Sequence, residues 1–146
     1  MIINKKNLDI EYNTIKIIED ICFDDAWTEH MIQCELSNSF SHICIAEDNT
    51  EIVGYIIYRE LFETAEIMRI AVLPEKRNNG LGRSLMEFMM NNLVTASEIL
   101  LEVSGDNPAA ITLYKNVGFE ALDVRPNYYK HRDGTFSDAI NMRLIL

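Results

Sequence analysis

Residues 70–82 have the sequence IAVLPEKRNNGLG, and this stretch decides how the chain is expected to fold. Its β-branched and apolar start predicts a strand, which Pro74 ends because proline cannot donate to a strand ladder. From Leu81 onward, apolar residues recur on one face at helical spacing, so a helix is predicted to follow. Gly80 and Gly82 therefore lie between a strand and a helix.

A glycine-rich junction of this kind is suited to binding an anion. The glycines permit close approach of the backbone, and the first N–H groups of the helix point outward at the positive end of its dipole. The stretch lacks the third glycine of a dinucleotide fingerprint and the Gly-Lys-Ser/Thr of a nucleotide P-loop, which excludes both of those sites. A glycine turn with solvent-exposed basic side chains is the alternative. Residues 75–83 carry a local net charge of +2 from Lys76, Arg77 and Arg83 against Glu75.

The elements around this junction predict a mixed α/β sandwich. Apolar residues at helical spacing indicate a helix over residues 15–22, and a second helix is expected to begin at Thr28. Residues 42–61 predict a hairpin, because β-branched and aromatic residues flank a turn at 48–50. After the junction, the sequence predicts a strand (EILLEV), a helix (NPAAITLYKNVGF) and two closing strands (FEALDV and DAINMRLIL). Helices, a meander and then βαβα units argue against a fully parallel sheet.

Composition places the chain among globular proteins of one domain, 1–146. Its 146 residues are 48% apolar and 25% charged, and a chain of this size can bury a core. It has no run of about 18 apolar residues to span a bilayer. Lys5, Lys6 and Asn7 interrupt the N-terminal stretch, so no signal-peptide core is present. We therefore expect a cytoplasmic protein with no membrane partner.

The cysteines and histidines predict neither a disulfide framework nor a metal site. Three cysteines are an odd number at spacings that fit no CxxC motif, so buried free thiols are expected. The histidines likewise lack metal-ligand spacing, and no role is assigned to them. The residues concerned are Cys22, Cys34, Cys44, His30, His42 and His131.

The negative charge is concentrated in the first half of the chain. Residues 1–66 hold 14 Asp and Glu against 4 Lys and Arg, whereas residues 67–146 hold 9 of each, so the whole net charge of −10 lies in the first part. Bulk acidity argues against a direct nucleic-acid partner, because neutralising phosphates requires a basic face. It suits a cationic partner; a solvated acidic surface is the alternative.

Two segments resemble one known superfamily. Arg77-x-x-Gly80-x-Gly82 after the IAVLP strand, with NPAAITLYKNVGF further on, is similar to the acyl-CoA pyrophosphate loop and the next segment of the GNAT superfamily of N-acetyltransferases. The likeness covers essentially the whole chain. It implies a single-domain GNAT fold, in which a mixed central sheet of about six to seven strands is flanked by about four helices. It also implies acetyl-CoA as cosubstrate, with no metal.

The resemblance implies the following contacts with acetyl-CoA. Backbone N–H groups from Asn78 to Gly82 cradle the pyrophosphate with Arg77 beside it. The edge of strand residues 70–72 runs alongside the pantetheine arm, which Asn107 also contacts. The implied cofactor-binding residues are Ile70, Ala71, Val72, Arg77, Asn78, Asn79, Gly80, Leu81, Gly82, Arg83, Ser84 and Asn107.

Within the superfamily, LLEVSGDNPAAITLYKNVGF, RPNYY and DAINMRL are similar to the bacterial ribosomal-protein-alanine N-acetyltransferases. The resemblance implies that the partner is a basic protein or peptide N-terminus, in particular a ribosomal protein. Trp27 matches a tryptophan between the family's first two helices, although FDDAW stands where an aromatic-proline-tryptophan run is commoner. Tyr128 and Tyr129 resemble an aromatic pair at the acceptor groove, with packing at a sheet edge as the alternative.

The chemistry of acetyl transfer requires two groups of opposite role, because the acceptor ammonium must lose a proton and the thiolate should gain one. Glu102 lies in EILLEV on the strand face opposite Leu101 and Val103, where it can take the amine's proton through a water. Its alternative is a charged residue on an exposed strand face. Tyr114 matches the family's tyrosine that protonates the departing sulfur; a packed aromatic is its alternative.

None of the cysteines matches a nucleophile position, so direct transfer in a ternary complex is expected. Two other functions stay open at this point. The same fold and cofactor can serve acetylation of a small amine or a lysine side chain. A CoA-binding regulatory module without catalysis belongs to a different class, and the presence of both Glu102 and Tyr114 counts against it.

Overall fold

The computed structural model describes residues 2–5 and 11–146. Residues 6–10 lie outside the described residues. They include Lys6 and Asn7, on which the prediction that no signal peptide is present partly rests. The helices are α1 (Tyr12–Cys22), α2 (Glu29–Leu36), α3 (Leu81–Asn92) and α4 (Pro108–Val117). The strands are β1 (Ile2–Lys5), β2 (Ser41–Asp48), β3 (Glu51–Leu61), β4 (Thr64–Val72), β5 (Glu98–Ser104), β6 (Glu120–Lys130) and β7 (Phe136–Ile145). The α/β class predicted from the sequence is confirmed.

The seven strands in the described part of the chain form one mixed sheet in the order β1-β2-β3-β4-β5-β7-β6. All neighbouring strands are antiparallel except β4 and β5, which are parallel and joined through α3. Their ladder covers Thr64–Ile67 against Glu98–Leu101. Beyond it, the described parts of β4 and β5 continue without further pairs, so the two strands diverge. The divergence leaves an opening in the middle of the sheet.

Several boundaries follow from local sequence. Thr28 begins α2 as predicted, because its side chain accepts a hydrogen bond from the backbone N–H of Met31 at 3.1 Å. The hairpin turn between β2 and β3 holds Asn49 and Thr50 at φ of 50° and 71°. Strand β1 was not predicted from the sequence. Its four residues are too few to show a periodic pattern, and they are defined by their pairing with β2.

Two hydrophobic cores lie on opposite faces of the sheet. One packs beneath α3 and α4 and includes Leu85, Met86 and Tyr114. The other packs beneath α1 and α2 and includes Ile15 and Ile32. Because the opening between β4 and β5 passes through the sheet, it joins the two faces. A group that lies in the opening can be reached from both sides.

Strand β6 is one edge of the sheet and extends further than predicted, through Pro126 to Lys130. Proline is tolerated there because it lies on an edge strand and next to a bulge. The register shifts between Arg125 and Tyr129, and Asn127 has a φ of 52°. The N–H of Asn127 donates to Oδ1 of Asp138 at 3.0 Å, which holds the bulge. Bulges redirect side chains, and this one sets the direction of the tyrosines that follow.

The three cysteines belong to no disulfide, and they differ in burial. Cys44 is buried and Cys22 is half-buried, whereas Cys34 is exposed. The expectation of buried thiols is therefore wrong for Cys34, which lies on the outer face of α2 with its Sγ 3.4 Å from Nε2 of His30. Among the described residues, no group of three or more His, Cys, Asp and Glu side chains is placed to hold a metal ion. No helix in this part of the chain has the length and apolarity to cross a membrane.

Candidate active site

The junction between β4 and α3 is shaped by two glycines with different tasks. Gly80 precedes α3 at a φ of +76°, where an added Cβ meets no atom of the described residues within 4 Å. Backbone conformation, not space, therefore requires glycine at this position. An added Cβ at Gly82 would lie 3.2 Å from Cδ2 of Leu113, so this glycine lets α3 pack closely on α4. No described side chain caps α3, whose first N–H groups are directed outward.

The basic side chains of the junction are less available to bind an anion than the sequence indicated. Nζ of Lys76 lies 2.7 Å from Oδ2 of Asp48, and Nε of Arg83 lies 2.9 Å from Oε1 of Glu87. Nε of Arg77 donates to the carbonyl of Val72 at 2.9 Å. The fold thus adds two carboxylates to a stretch with a sequence charge of +2. Glu87 could have been found from its i,i+4 spacing to Arg83, but Asp48 comes from a distant hairpin.

Strand β4 presents a backbone edge to the opening. Residues 70–72 pair with Ile56, Tyr55 and Gly54 of β3 on one side, and they lie past the last pair with β5 on the other. An extended chain with amide groups can complete such an edge. Asn107 stands at the start of α4, where its Oδ1 accepts a hydrogen bond from the N–H of Ala110 at 3.2 Å. These features fit a ligand with an extended arm and an anionic end.

Glu102 lies at the point where β5 leaves β4. It follows Leu101, the last β5 residue paired with β4, and its side chain is exposed while those of Leu101 and Val103 are buried. The Tyr129 hydroxyl donates to Oε1 of Glu102 at 2.8 Å. The rings of Tyr128 and Tyr129 meet edge to face, with centroids 5.3 Å apart. The structure thus brings together three of the residues predicted for the site.

Tyr114 lies on the opposite face, in the core beneath α3 and α4. Its side chain is only 6% exposed and its ring meets Phe119 edge to face at 6.0 Å. Burial raises the pKa of Tyr114 to about 12, so its hydroxyl is protonated at neutral pH. The two residues predicted to move protons therefore belong to opposite faces of the sheet.

Trp27 is held in position by a buried ion pair that was not predicted from the sequence. Its backbone N–H donates to Oε2 of Glu19 at 2.9 Å. Glu19 has no exposed surface and accepts from Nε and Nη2 of Arg69 at 3.2 and 3.0 Å, and from the Tyr55 hydroxyl at 2.7 Å. The guanidinium of Arg69 lies 5.1 Å from the centroid of the Trp27 ring. A signal existed, because Glu19 falls on the apolar face of α1 next to Ile18.

His131, to which no role was assigned, joins three segments. Its Nε2 lies 2.9 Å from Oδ2 of Asp106 and 2.9 Å from Oγ of Ser137, and its Nδ1 lies 3.3 Å from Oδ2 of Asp24. The neighbouring Arg132 donates to the carbonyls of Phe23 and Asp24 at 3.2 and 3.3 Å. The turn between β6 and β7 therefore contacts the loop between α1 and α2. The sequence offered no signal for these contacts between distant loops.

Residues 12–119 match the family model described as the acetyltransferase (GNAT) family, which is well over half of the chain. The chain belongs to the GNAT family of acetyltransferases. Enzymes of this family take their acetyl group from acetyl-CoA, so acetyl-CoA is the cosubstrate. The uncapped start of α3, the positive φ of Gly80 and the open edge of β4 fit its pyrophosphate and its extended pantetheine arm.

Known GNAT proteins resemble the chain in sequence and in structure. It is 32% identical over 120 residues to the [ribosomal protein bS18]-alanine N-acetyltransferase of Escherichia coli, covering 81% of this chain and 80% of that protein. It is 36% identical over 110 residues to an uncharacterised protein of Mycobacterium leprae, but spans only 30% of that protein's length. The crystal structure of the ribosomal-protein-S18-alanine N-acetyltransferase from Escherichia coli superposes with a TM-score of 0.88. That match covers 99% of this chain and 94% of the other, at 28% identity.

Proposed function

We propose that residues 1–146 form a single N-acetyltransferase domain that acetylates the N-terminal α-amine of a protein, specifically the alanine N-terminus of a small-subunit ribosomal protein. The observation that carries this proposal is the similarity to the Escherichia coli [ribosomal protein bS18]-alanine N-acetyltransferase, which extends over about four fifths of both chains. The exposed carboxylate of Glu102 at the opening of the sheet agrees with it.

Acetyl-CoA supplies an activated acetyl thioester. The N–H groups from Asn78 to Gly82 would hold its pyrophosphate at the start of α3, with Arg77 released from the Val72 carbonyl to reach the same phosphates. The edge of residues 70–72 and the side chain of Asn107 would hold the pantetheine arm in the opening. The remaining residues of this surface are Leu81, Arg83 and Ser84.

Glu102 and Tyr114 would act from the two faces of the sheet. Glu102 accepts a proton from the acceptor ammonium, through a water, so that the amine nitrogen can attack the thioester carbonyl. As the new C–N bond forms and the C–S bond breaks, the attacking nitrogen releases its second proton to water, and Tyr114 directs its hydroxyl hydrogen to the departing sulfur. The opening gives Glu102 access to the amine from one face and Tyr114 access to the sulfur from the other.

The pKa of Tyr114 sharpens its role. A hydroxyl with a pKa of about 12 is a far weaker acid than a thiol with a pKa of about 8.5. Complete transfer of its proton to the thiolate is therefore uphill in free energy. Donation of a hydrogen bond to the charge that develops on sulfur has no such cost. Tyr114 would thus stabilise the leaving group by hydrogen bonding, and solvent would supply the proton afterwards.

The acceptor groove would be bordered by Trp27, Tyr128 and Tyr129. Asp24 and Asp25, both exposed, lie in the loop that precedes Trp27. Negative charge at this border would raise the encounter rate with a basic peptide, with an effect that salt screens over roughly 8 to 10 Å near physiological ionic strength. A cationic acceptor and a polyanionic cosubstrate would thereby be directed to different parts of the molecule.

Peptide kinetics test the acceptor. We would measure kcat/KM for a basic peptide that begins with alanine, the same peptide with a blocked N-terminus, a version with its later arginines replaced by glutamine, and a free polyamine. The unblocked arginine peptide is expected to be the best substrate. Acetylation of the blocked peptide on a lysine at a similar rate, or a higher kcat/KM for the polyamine, would overturn the N-terminal assignment. Indifference to the arginines would remove only the electrostatic part.

Titration calorimetry tests the cosubstrate loop. Gly80→Asp places a side chain and a negative charge where the pyrophosphate is expected, so acetyl-CoA affinity should fall by about tenfold or more. Gly134→Asp is the matched control, because Gly134 also has a positive φ, +87°, and open space around an added Cβ. The control should bind acetyl-CoA normally. Equal affinities of the two variants would show that the loop does not hold the cosubstrate.

A further inference from the structure

The hydrogen bond between Tyr129 and Glu102 joins two strands that are not neighbours in the sheet. Tyr129 belongs to the edge strand β6 and Glu102 to β5, with β7 lying between these strands. Despite this separation the Tyr129 hydroxyl reaches Oε1 of Glu102 at 2.8 Å. Tyr129 follows the bulge that Asn127 and Asp138 hold in place. The irregularity of β6 therefore has a local result, which is to bring a phenol hydroxyl to this one carboxylate.

The contact constrains a side chain that would otherwise be free to move. Glu102 is exposed, and an exposed glutamate side chain retains most of its rotamer freedom. A hydrogen bond to Oε1 favours one orientation of the whole carboxylate and so fixes the direction of Oε2. A base that collects a proton through a water must be correctly oriented, since geometry precedes acidity in proton transfer.

The hydroxyl of Tyr129 is well suited to remain the donor in this bond. Burial raises the pKa of Tyr129 above its ordinary value, and the hydrogen bond to Glu102 and the charge of Asp25 raise it further. The phenol is consequently protonated at neutral pH. Tyr128, by contrast, is exposed and meets Tyr129 only edge to face, so the two rings do not form parallel walls around a peptide.

We propose that Tyr129 is a positioning residue that acts through Glu102, holding the carboxylate in the orientation needed to take the proton from the acceptor amine. The inference rests on the proposed role of Glu102 as the base. It assigns to Tyr129 a task in addition to lining the acceptor groove, and it leaves direct peptide contact chiefly to Tyr128.

A double-mutant cycle tests the inference in the full chain with the alanine peptide. The variants are Tyr129→Phe, Glu102→Gln and the two combined, with Tyr12→Phe as a control for loss of a phenol hydroxyl outside the site. Tyr129→Phe is expected to lower kcat about tenfold and to leave the peptide KM unchanged, because only the orientation of the base is lost. In the Glu102→Gln background the same change should have no further effect, since residues that act as a unit are non-additive.

The pH dependence gives a second readout, which a purely structural role would not produce. The kcat deficit of Tyr129→Phe should shrink from pH 7 to pH 9.5, as that of Glu102→Gln does, because a larger share of an α-amine with a pKa of roughly 7.7 to 8.0 is then already deprotonated. A pH-independent deficit, or losses that multiply in the double variant, would instead show that Tyr129 acts on the substrate directly.

The cycle also separates this inference from the proposed function. If Glu102→Gln is impaired while Tyr129→Phe is fully active, the positioning role alone is wrong. If Glu102→Gln is fully active, Glu102 is not the base and the positioning role is overturned with it. The peptide panel remains independent of both results, because it compares acceptors with the unaltered enzyme.

Discussion

The two faces of the sheet are held to their helices in different ways. On one face, α1 and α2 each bury a carboxylate that pairs with an arginine of the sheet: Glu19 with Arg69, and Glu35 with Arg59. These are the buried charged residues of the described chain. On the other face, the buried cluster beneath α3 and α4 consists of aliphatic, aromatic and sulfur-containing side chains.

The difference shows what each face must keep fixed. Buried ion pairs add little net stability compared with apolar packing, but their partners must meet in one geometry. Arg69 also donates to the carbonyl of Asp25 at 2.9 Å, and its guanidinium lies 3.9 Å from the centroid of the Phe23 ring. The pair thus fixes the loop between α1 and α2 as well as the helix. The face covered by α1 and α2, which the proposed function assigns to the acceptor, is therefore held in one geometry by ion pairs. The face covered by α3 and α4 is held by apolar packing.

The largest effect is expected from removing Arg69, which is 11% exposed. Arg69→Met would leave the Glu19 carboxylate buried without its counter-charge, and breaking a buried pair in this way costs about 3 to 5 kcal/mol. Urea unfolding at pH 7 measures the loss. Lys16→Met, which breaks the exposed pair with Asp20 on the same helix, should cost only about 0.3 to 0.5 kcal/mol. Similar losses in the two variants would contradict the special position of Arg69.

Two nearly isosteric substitutions sharpen the contrast between the faces. Glu19→Gln keeps the shape of the side chain but offers one acceptor oxygen to donors from Trp27, Tyr55 and Arg69, so it should cost about 2 to 4 kcal/mol. Met86→Leu, fully buried on the other face, should cost less than about 1.5 kcal/mol because cores tolerate swaps of equal volume. Thermal and urea unfolding of both variants decide this. If Met86→Leu is the more damaging, the two faces do not differ as described.

The smallest effect concerns Glu35 and appears only in acid. Burial on its own raises the pKa of Glu35, but hydrogen bonds from Arg59 and Ser41 outweigh it and hold the pKa below its ordinary value. A lowered carboxylate pKa contributes stability that is fully present above the unfolded value, about 4.3. The contribution is lost as the pH falls through the lower folded pKa. The free energy of unfolding of Glu35→Gln should therefore decline less steeply below about pH 4.3 than that of the wild type. Parallel declines would rule out this contribution.

Features set by neighbouring residues were predictable from the sequence. The turn at 48–50, the start of a helix at Thr28 and the strand-glycine-helix junction each depend on a few consecutive residues, and the structure has all three. The extent of β6 was not predictable in this way. Pro126 would end an interior strand, and only the order of strands shows that β6 lies at the edge.

The candidate site could be predicted as a set of residues but not as an arrangement. Glu102 was expected on the strand face opposite Leu101 and Val103, and it is found there. Its bond to Tyr129 joins residues 27 positions apart through a bulge, and the Glu19–Arg69 pair joins residues 50 positions apart. Contacts of this kind depend on the register of strands that are distant in sequence. The roles of these residues remain predictions for the kinetic tests above.

The kinked edge strand has one more consequence. An exposed strand with apolar side chains such as Leu122 and Val124 is a template on which a strand from another molecule can add. Pro126 can donate no hydrogen bond to such a strand, and the positive φ of Asn127 breaks the straight line of the edge. The opposite edge strand, β1, comprises four of the described residues. The same bulge that directs Tyr129 to Glu102 thus makes it difficult for the sheet to grow into an intermolecular aggregate.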